Sequence, residues 1–403
     1  MKIVVVSTFY SEGMGYAENC LPKFLALRGH EVHVITSEMN VYGNEPGYAQ
    51  TYESFLGPAR QPLGSFPVDG YVVHRLAASN VGGYVRLRGL PRKLRELSPD
   101  IVHSMEVASV QTFALAGLRL FSDFRLFAET HQHLSVMKPY MREGQGQFVR
   151  RLAYRATRTV PTFLASTAVE RCYAIAPDCA FVANEYYGVP RSKIVVQSLG
   201  TDTELFRPAA PEERANGSRI AALRTELGFD AGDVICIYTG RFSRDKNPLL
   251  LAKAVELLAG RGIPFRGLFI GEGVQRDEIA AQSRSVVVPF MKQRLLGDYY
   301  RMADVAVWPT QESMSMLDAA SAGLPVVASD RIGESERIAG NGAVYREGDA
   351  GELAHVLLGM ASAEHRALLG RAGRAKVLEK FSWSVIAGRI EADYLTATSR
   401  ESR

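Results

Sequence analysis

Short apolar runs of four to eight residues recur from one end of the chain to the other, and helix-periodic stretches separate them. That alternation is the mark of parallel βαβ units, because parallel strands need a long crossover and are covered by helices on both faces. Strands are expected at 2–7, 31–37, 72–76, 101–104, 125–130, 162–166 and 194–197, then at 234–239, 266–270, 286–288, 305–308 and 326–329. The fold class is therefore α/β, with two sheets. A chain of 403 residues exceeds the size at which one hydrophobic core keeps growing. The stretch 206–219, FRPAAPEERANGSR, has the proline-rich, charged composition of an exposed linker, so the domains are expected at 1–205 and 206–381. A long segment at 39–70, rich in Gly, Pro, Tyr and Asn, shows no periodicity and suits a functional loop.

Charge and cysteine content exclude several classes. A net charge of +4 spread over both halves argues against a nucleic-acid partner. Cys20, Cys172, Cys179 and Cys236 form no C-x-x-C pair and have no histidines at zinc spacing, the pattern of free thiols in a reducing, cytoplasmic setting. The opening MKIVVVSTFY is too short for a signal-peptide core, and no apolar run reaches the length of a membrane span. Peripheral contact with an anionic membrane stays open through two basic segments, 84–96 and 148–158, against the plainer reading of solvated surface arginines.

Two segments carry chemistry. In TGRFSRDKN, 239–247, a basic loop stands between a strand and a helix that starts at Pro248. Gly240 permits a sharp turn, Arg241 offers a planar fork of donors and Lys246 a compact charge, a combination suited to a diphosphate. Arg241 and Lys246 read equally well as solvated loop charges. The second segment, WPTQESMSMLDAASAGLPVVAS at 308–329, reads as strand, loop, short helix and strand. Amides of Ser313, Met314 and Ser315 at a helix start favour phosphate or sugar oxygens, and Glu312 can accept from sugar hydroxyls. Alternatively, Ser315 and Asp318 form a capping box that serves only the helix.

Together these segments resemble the donor site of the family-4 retaining glycosyltransferases. Gly240, Arg241, Lys246 and Asn247 stand at the positions of that family's first motif. Its second motif, Glu-x7-Glu, is replaced by Glu312-x5-Asp318, two residues shorter and with aspartate for the second glutamate. Segments 28–36, 98–104, 188–208 and 381–383 resemble further family landmarks, so the likeness covers nearly the whole chain. The resemblance implies GT-B architecture: two Rossmann-like domains with parallel sheets facing across a deep cleft, and a terminal helix, 382–403, packed back on the first domain. It implies that Arg241 and Lys246, with Gly240 and the amides of Met314 and Ser315, hold the donor diphosphate. Glu312, Ser313 and Met314 would bind the transferred sugar, and Asp318 the ribose. SEGMGYAEN, 11–19, stands where the family has a glycine-rich loop, so Gly13 and Gly15 would approach the donor phosphate. FAETHQH, 127–133, looks like the strand end that carries the family's active-site histidine, which falls at His131. A lone histidine there is otherwise a structural residue, and His133 and His103 are substitutes.

The implied activity is transfer from a nucleotide-diphosphate sugar, UDP-sugar by family frequency, to a hydroxyl of a glycan, lipid-linked or natural-product acceptor. Catalysis would use His131, Arg241, Lys246 and Glu312, with no cofactor; no D-x-D or histidine cluster suits a metal beside the diphosphate. Three rivals remain: a two-domain epimerase or phosphorylase, a binding protein without turnover, and a nicotinamide oxidoreductase. The last rests on Gly13-x-Gly15-x-x-Glu18 with Glu38 closing the second strand. Its first glycine does not follow the strand directly, as that fingerprint requires.

Overall fold

The computed structural model describes residues 1–45, 47–81, 84–141, 147–215, 217–310, 312–333 and 335–399. The chain divides into two compact units, Met1–Leu199 with Ile386–Arg403, and Gly200–Val385.

The first unit carries β1 (Lys2–Val6), β2 (Glu31–Ser37), β3 (Gly64–Val68) and β4 (Tyr71–Leu76), a separate antiparallel hairpin of β5 (Ala78–Val81) and β6 (Tyr84–Leu87), then β7 (Ile101–Ser104), β8 (Arg125–Thr130), β9 (Val169–Ala174) and β10 (Ile194–Val196). Its main sheet runs β10-β9-β8-β7-β1-β2-β4-β3, with every neighbouring pair parallel except β3–β4. From β1 the chain winds through β2 to one side and returns through β7 to the other. The direction of winding therefore reverses between β1 and β7, the position at which ligands are bound in open sheets of this kind.

The second unit holds β11 (Val234–Thr239), β12 (Phe265–Ile270), β13 (Ser285–Val288), β14 (Val305–Trp308), β15 (Val326–Ser329) and β16 (Gly342–Tyr345), all parallel, in the order β13-β12-β11-β14-β15-β16. Here the reversal lies between β11 and β14, with Cys236 opposite Val305 and Ile237 opposite Ala306. β11, VICIYT, is buried along its whole length, as a strand covered by helices on both faces must be. Helix Pro248–Ala259 starts on Pro248, directly after Asn247 in left-handed conformation, and buries Leu251, Ala254, Val255 and Leu258 on one stripe. Arg374 knots this unit: its guanidinium donates to the carbonyls of Thr203, Phe206 and Ser321, satisfying the last turn of helix Ser315–Ser321.

One strand assignment is overturned. Residues 162–166 lie in helix Val160–Thr167, which buries Thr162, Ala165 and Ser166 at helical spacing, and the strand is β9, VERCYA, just beyond. A short apolar run has no period that separates strand from buried helix, and Pro161 in the first turn favours the helix. The segment 39–70 is also more ordered than its composition suggests. It forms helices Tyr48–Thr51 and Glu53–Leu56 and strand β3, pinned where the Asn40 amide donates to the Leu56 and Pro58 carbonyls. The four cysteines are buried free thiols. Among the described residues no helix is long and apolar enough to cross a membrane.

Candidate active site

In the second unit, the two loops that leave the sheet at its reversal carry the residues singled out from sequence. The Tyr238 hydroxyl donates to the Arg241 carbonyl at 2.9 Å and closes the turn after β11. Gly240 sits at φ 148°, and a Cβ on Gly271 would lie 1.9 Å from the Gly240 oxygen, so the turn after β12 presses directly on this one. Arg241 is exposed. Lys246 is half-buried, and its ammonium donates to the Glu312 carbonyl at 3.5 Å, joining the loop after β11 to the loop after β14. Burial lowers the Lys246 pKa; Asp245 opposes this, Arg241 adds to it and Glu312 opposes it. Two cations held near one another favour an anionic ligand, although Asp245 offsets part of their charge.

The Glu312 carboxylate accepts from the Gly333 amide at 3.1 Å. Ser313 and Met314 precede helix Ser315–Ser321, whose N-cap is Met314, without a side-chain cap. The capping-box alternative therefore fails: Asp318 is buried and accepts from the Thr201 hydroxyl at 2.5 Å. Burial pushes its carboxyl up to about 7, although Thr201 pulls the other way.

In the first unit, Gly13 and Gly15 take left-handed conformations, φ 82° and 71°, in the loop after β1. His131 follows β8 directly, so the histidine and the glycine loop both stand at carboxyl ends of strands. His131 Nε2 lies 2.7 Å from Glu129 Oε2, and the other Glu129 oxygen accepts from His103 Nε2 at 3.1 Å. Burial would lower the His131 pKa, but the Glu129 hydrogen bond, with the charges of Glu129, Glu106 and Glu18, raises it. Burial lifts the half-buried Glu18 carboxyl to about 7.

Glu129 and Glu106 were not singled out from sequence, and Glu18 was named only as the end of the superficial dinucleotide fingerprint. The available signal was a glutamate in RLFAET, a strand otherwise too apolar to face water. Glu38, part of the superficial dinucleotide fingerprint, has a structural use: it accepts from the Ala78 amide and from Arg60, both at 2.6 Å. Among the described residues one trio, His133, Asp178 and Cys179, brings possible metal-binding atoms within 4.8 Å. Asp178 already accepts from His133 and from the Leu134 amide, and burial pushes the Cys179 thiol up to about 12.

A profile described as Glycosyltransferase Family 4 matches residues 21–205, and one described as Glycosyl transferases group 1 matches 233–362. A D-inositol 3-phosphate glycosyltransferase of Rhodococcus erythropolis is 28% identical over 254 residues, 57% of this chain and 54% of that protein. Another of the same name, from Segniliparus rotundus, is 30% identical over 235 residues, covering 53% and 49%. The matches thus span about half the length of these relatives. Among solved structures, HepE of Anabaena in complex with UDP superposes with TM-score 0.67 at 16% identity, covering 98% of this chain and 100% of that one. Sucrose-phosphate synthase of Thermosynechococcus elongatus does so with 0.65 at 19% identity, covering 99% of both. At such identities the likeness is one of fold.

Proposed function

This chain belongs to the family-4 glycosyltransferases and has their GT-B fold, and on that premise we propose that it transfers a sugar from a nucleotide-diphosphate sugar to an acceptor hydroxyl. The observation that carries the reading is the pairing of Arg241 and Lys246 on the loop after β11, joined through Lys246 to Glu312 on the loop after β14. The diphosphate is assigned to those cations, the transferred sugar to Glu312, Ser313, Met314 and His131, and the ribose to Asp318. UDP is the first candidate nucleotide, supported by a neighbour of the same fold that was crystallised with UDP. Arg241 and Lys246 neutralise charge on the departing diphosphate. Its oxygen takes the proton of the attacking hydroxyl as that hydroxyl bonds to the anomeric carbon on the same face, so configuration is retained without a metal or cofactor.

Thermal unfolding with UDP-, GDP-, ADP- and dTDP-sugars tests the donor, since a ligand at 100 times its Kd adds about 2.7 kcal/mol. Protection by one nucleotide class, with an α-anomeric product from an α-donor by proton NMR, supports the reading. Protection by none of them overturns it. Binding without transfer to any acceptor or to water would favour a nucleotide-sugar-binding protein without turnover, a reading to which the shortened acidic loop lends some support.

Peripheral contact with an anionic membrane belongs to the same proposal. Helical residues 147–167 contain no acidic side chain and leave Phe148 at 79% and Val149 at 69% exposure, with Leu152, Val160, Phe163 and Leu164 also exposed and Arg151 and Arg155 alongside. The other basic segment suits this less: Lys93 pairs with Glu96 at 2.7 Å, and Leu90 and Leu94 are buried. Sedimentation with phosphatidylglycerol vesicles at low salt, lost in Phe148→Ser/Leu152→Ser, supports the contact; no binding at low salt removes it.

A further inference from the structure

One buried polar chain in the first unit ends on His131. The hydroxyl of Tyr394, on helix Trp383–Ser399, lies 2.5 Å from His103 Nδ1. Burial drives the Tyr394 pKa well above 10, so the phenol keeps its proton. Glu129 is held ionised and can only accept, so His103 Nε2 carries a proton and donates to Glu129 Oε1, and in the neutral ring Nδ1 accepts from the Tyr394 hydroxyl. His103 is fully buried, with its ring stacked on Tyr173 at 5.8 Å, and Tyr394 packs against Phe127 at 4.7 Å, so the donor geometry is rigid.

Burial works to raise the Glu129 carboxyl, but hydrogen bonds from His103 and His131 outweigh it and hold the group at about 2. An ionised carboxylate can only accept, so His131 Nε2 must carry a proton whether the ring is neutral or charged. Nδ1 is the ring atom whose proton can come and go. Three acidic groups act on that ring: Glu129 from β8, Glu18 from helix Ala17–Leu27, and Glu106 from the segment after β7. Glu106 also accepts from the His131 amide and feels the charge of Arg158.

We propose that Glu129, backed by His103 and Tyr394, is a positioning residue for the transfer reaction, holding His131 with its proton on Nε2 so that Nδ1 is left to hydrogen-bond a hydroxyl of the transferred sugar. The proposal rests on the assignment of His131 to the reacting sugar. It adds a requirement that the family motifs do not carry: the acidic partner two residues before His131 and a hydroxyl from the terminal helix set the chemistry of the histidine.

The test is nitrogen-15 NMR of the full chain labelled at histidine, with His131→Gln to assign the signal, beside kcat and KM for the donor identified above. The expected result is an Nε2–H tautomer for neutral His131 and a midpoint above the ordinary value of about 6.5. Glu129→Gln removes the leading cause of the raised pKa and leaves burial in control, so the midpoint falls. The same variant is expected to lower kcat about tenfold to a hundredfold, with donor KM little changed and the pH profile displaced the same way. Tyr394→Phe keeps the ring in place, removes only the hydroxyl, and shifts both readouts in the same direction by less; it decides the matter if Glu129→Gln does not fold. A proton on Nδ1 in neutral His131, or a midpoint unmoved in folded Glu129→Gln, overturns the proposal. A wild-type protein with the expected tautomer that binds no nucleotide sugar instead overturns the transfer reading, and with it the catalytic use of the dyad.

Discussion

Asp318→Asn separates a buried neutral carboxyl from a solvated charged one. Burial lifts the Asp318 carboxyl from an ordinary 3.8 to about 7. The folded value lies above the unfolded one, so the contribution of this group to stability is complete below the unfolded pKa. It is lost progressively as pH rises towards the folded pKa, and the loss is full above it. At about 1.4 kcal/mol per pKa unit, the difference amounts to roughly 4 kcal/mol in all, of which about 2.5 kcal/mol falls between pH 5 and pH 8. Asparagine cannot ionise, yet its amide oxygen can still accept from the Thr201 hydroxyl, so the variant escapes the loss. Both tryptophans, Trp308 and Trp383, are buried in the second unit, so their fluorescence follows unfolding of that unit. Urea midpoints of wild type and variant should therefore diverge by about 1 M in favour of Asp318→Asn on going from pH 5 to pH 8. Parallel pH dependence would show that Asp318 is already ionised in the fold and would refute the reasoning.

Arg241→Ala should lower turnover about a hundredfold to a thousandfold while the folding midpoint stays within error, because an exposed side chain is removed from an electrostatic role; unchanged kcat would end that assignment. Gly271→Ala places a methyl group 1.9 Å from the Gly240 oxygen, so a loss of about 1–3 kcal/mol in stability and weakened nucleotide binding by calorimetry are expected. Gly359→Ala, with nothing within 4 Å of the added carbon, is the matched control and should do neither. Activity should survive a chelator, since Arg241 and Lys246 supply the positive charge; complete loss restored by magnesium or manganese would contradict this.

Much of the fold is legible because βαβ order leaves a local trace. β11 is a six-residue apolar run, followed by a glycine turn and by a helix opening on proline, and each of those signals lies within a few residues of the next. Residues 162–166 defeat that reading, since TFLAS has no period to tell strand from helix and its neighbours in space decide. β3, β16 and the β5–β6 hairpin went unread for a related reason: they are short, contain Gly, Pro or Asn, and are held in place by pairing partners rather than by their own pattern.

At the candidate site the division is similar. Arg241, Lys246 and Glu312 can be named from sequence because loops after parallel strands carry the chemistry of such folds, and a basic loop before a helix is a local feature. That Lys246 reaches the Glu312 carbonyl, and that Asp318 turns inward to Thr201 rather than capping its own helix, depend on residues 66 and 117 positions apart. The Tyr394–His103–Glu129–His131 chain likewise joins positions up to 291 residues apart through a buried core. Sequence alone determined the repeating strand–helix order and the identity of the charged loops, because both follow from local periodicity and composition. Tertiary structure alone decided which of those groups are buried, which nitrogen carries a proton and which carboxyls are lifted towards neutrality, because desolvation and hydrogen bonding arise only once distant segments pack together.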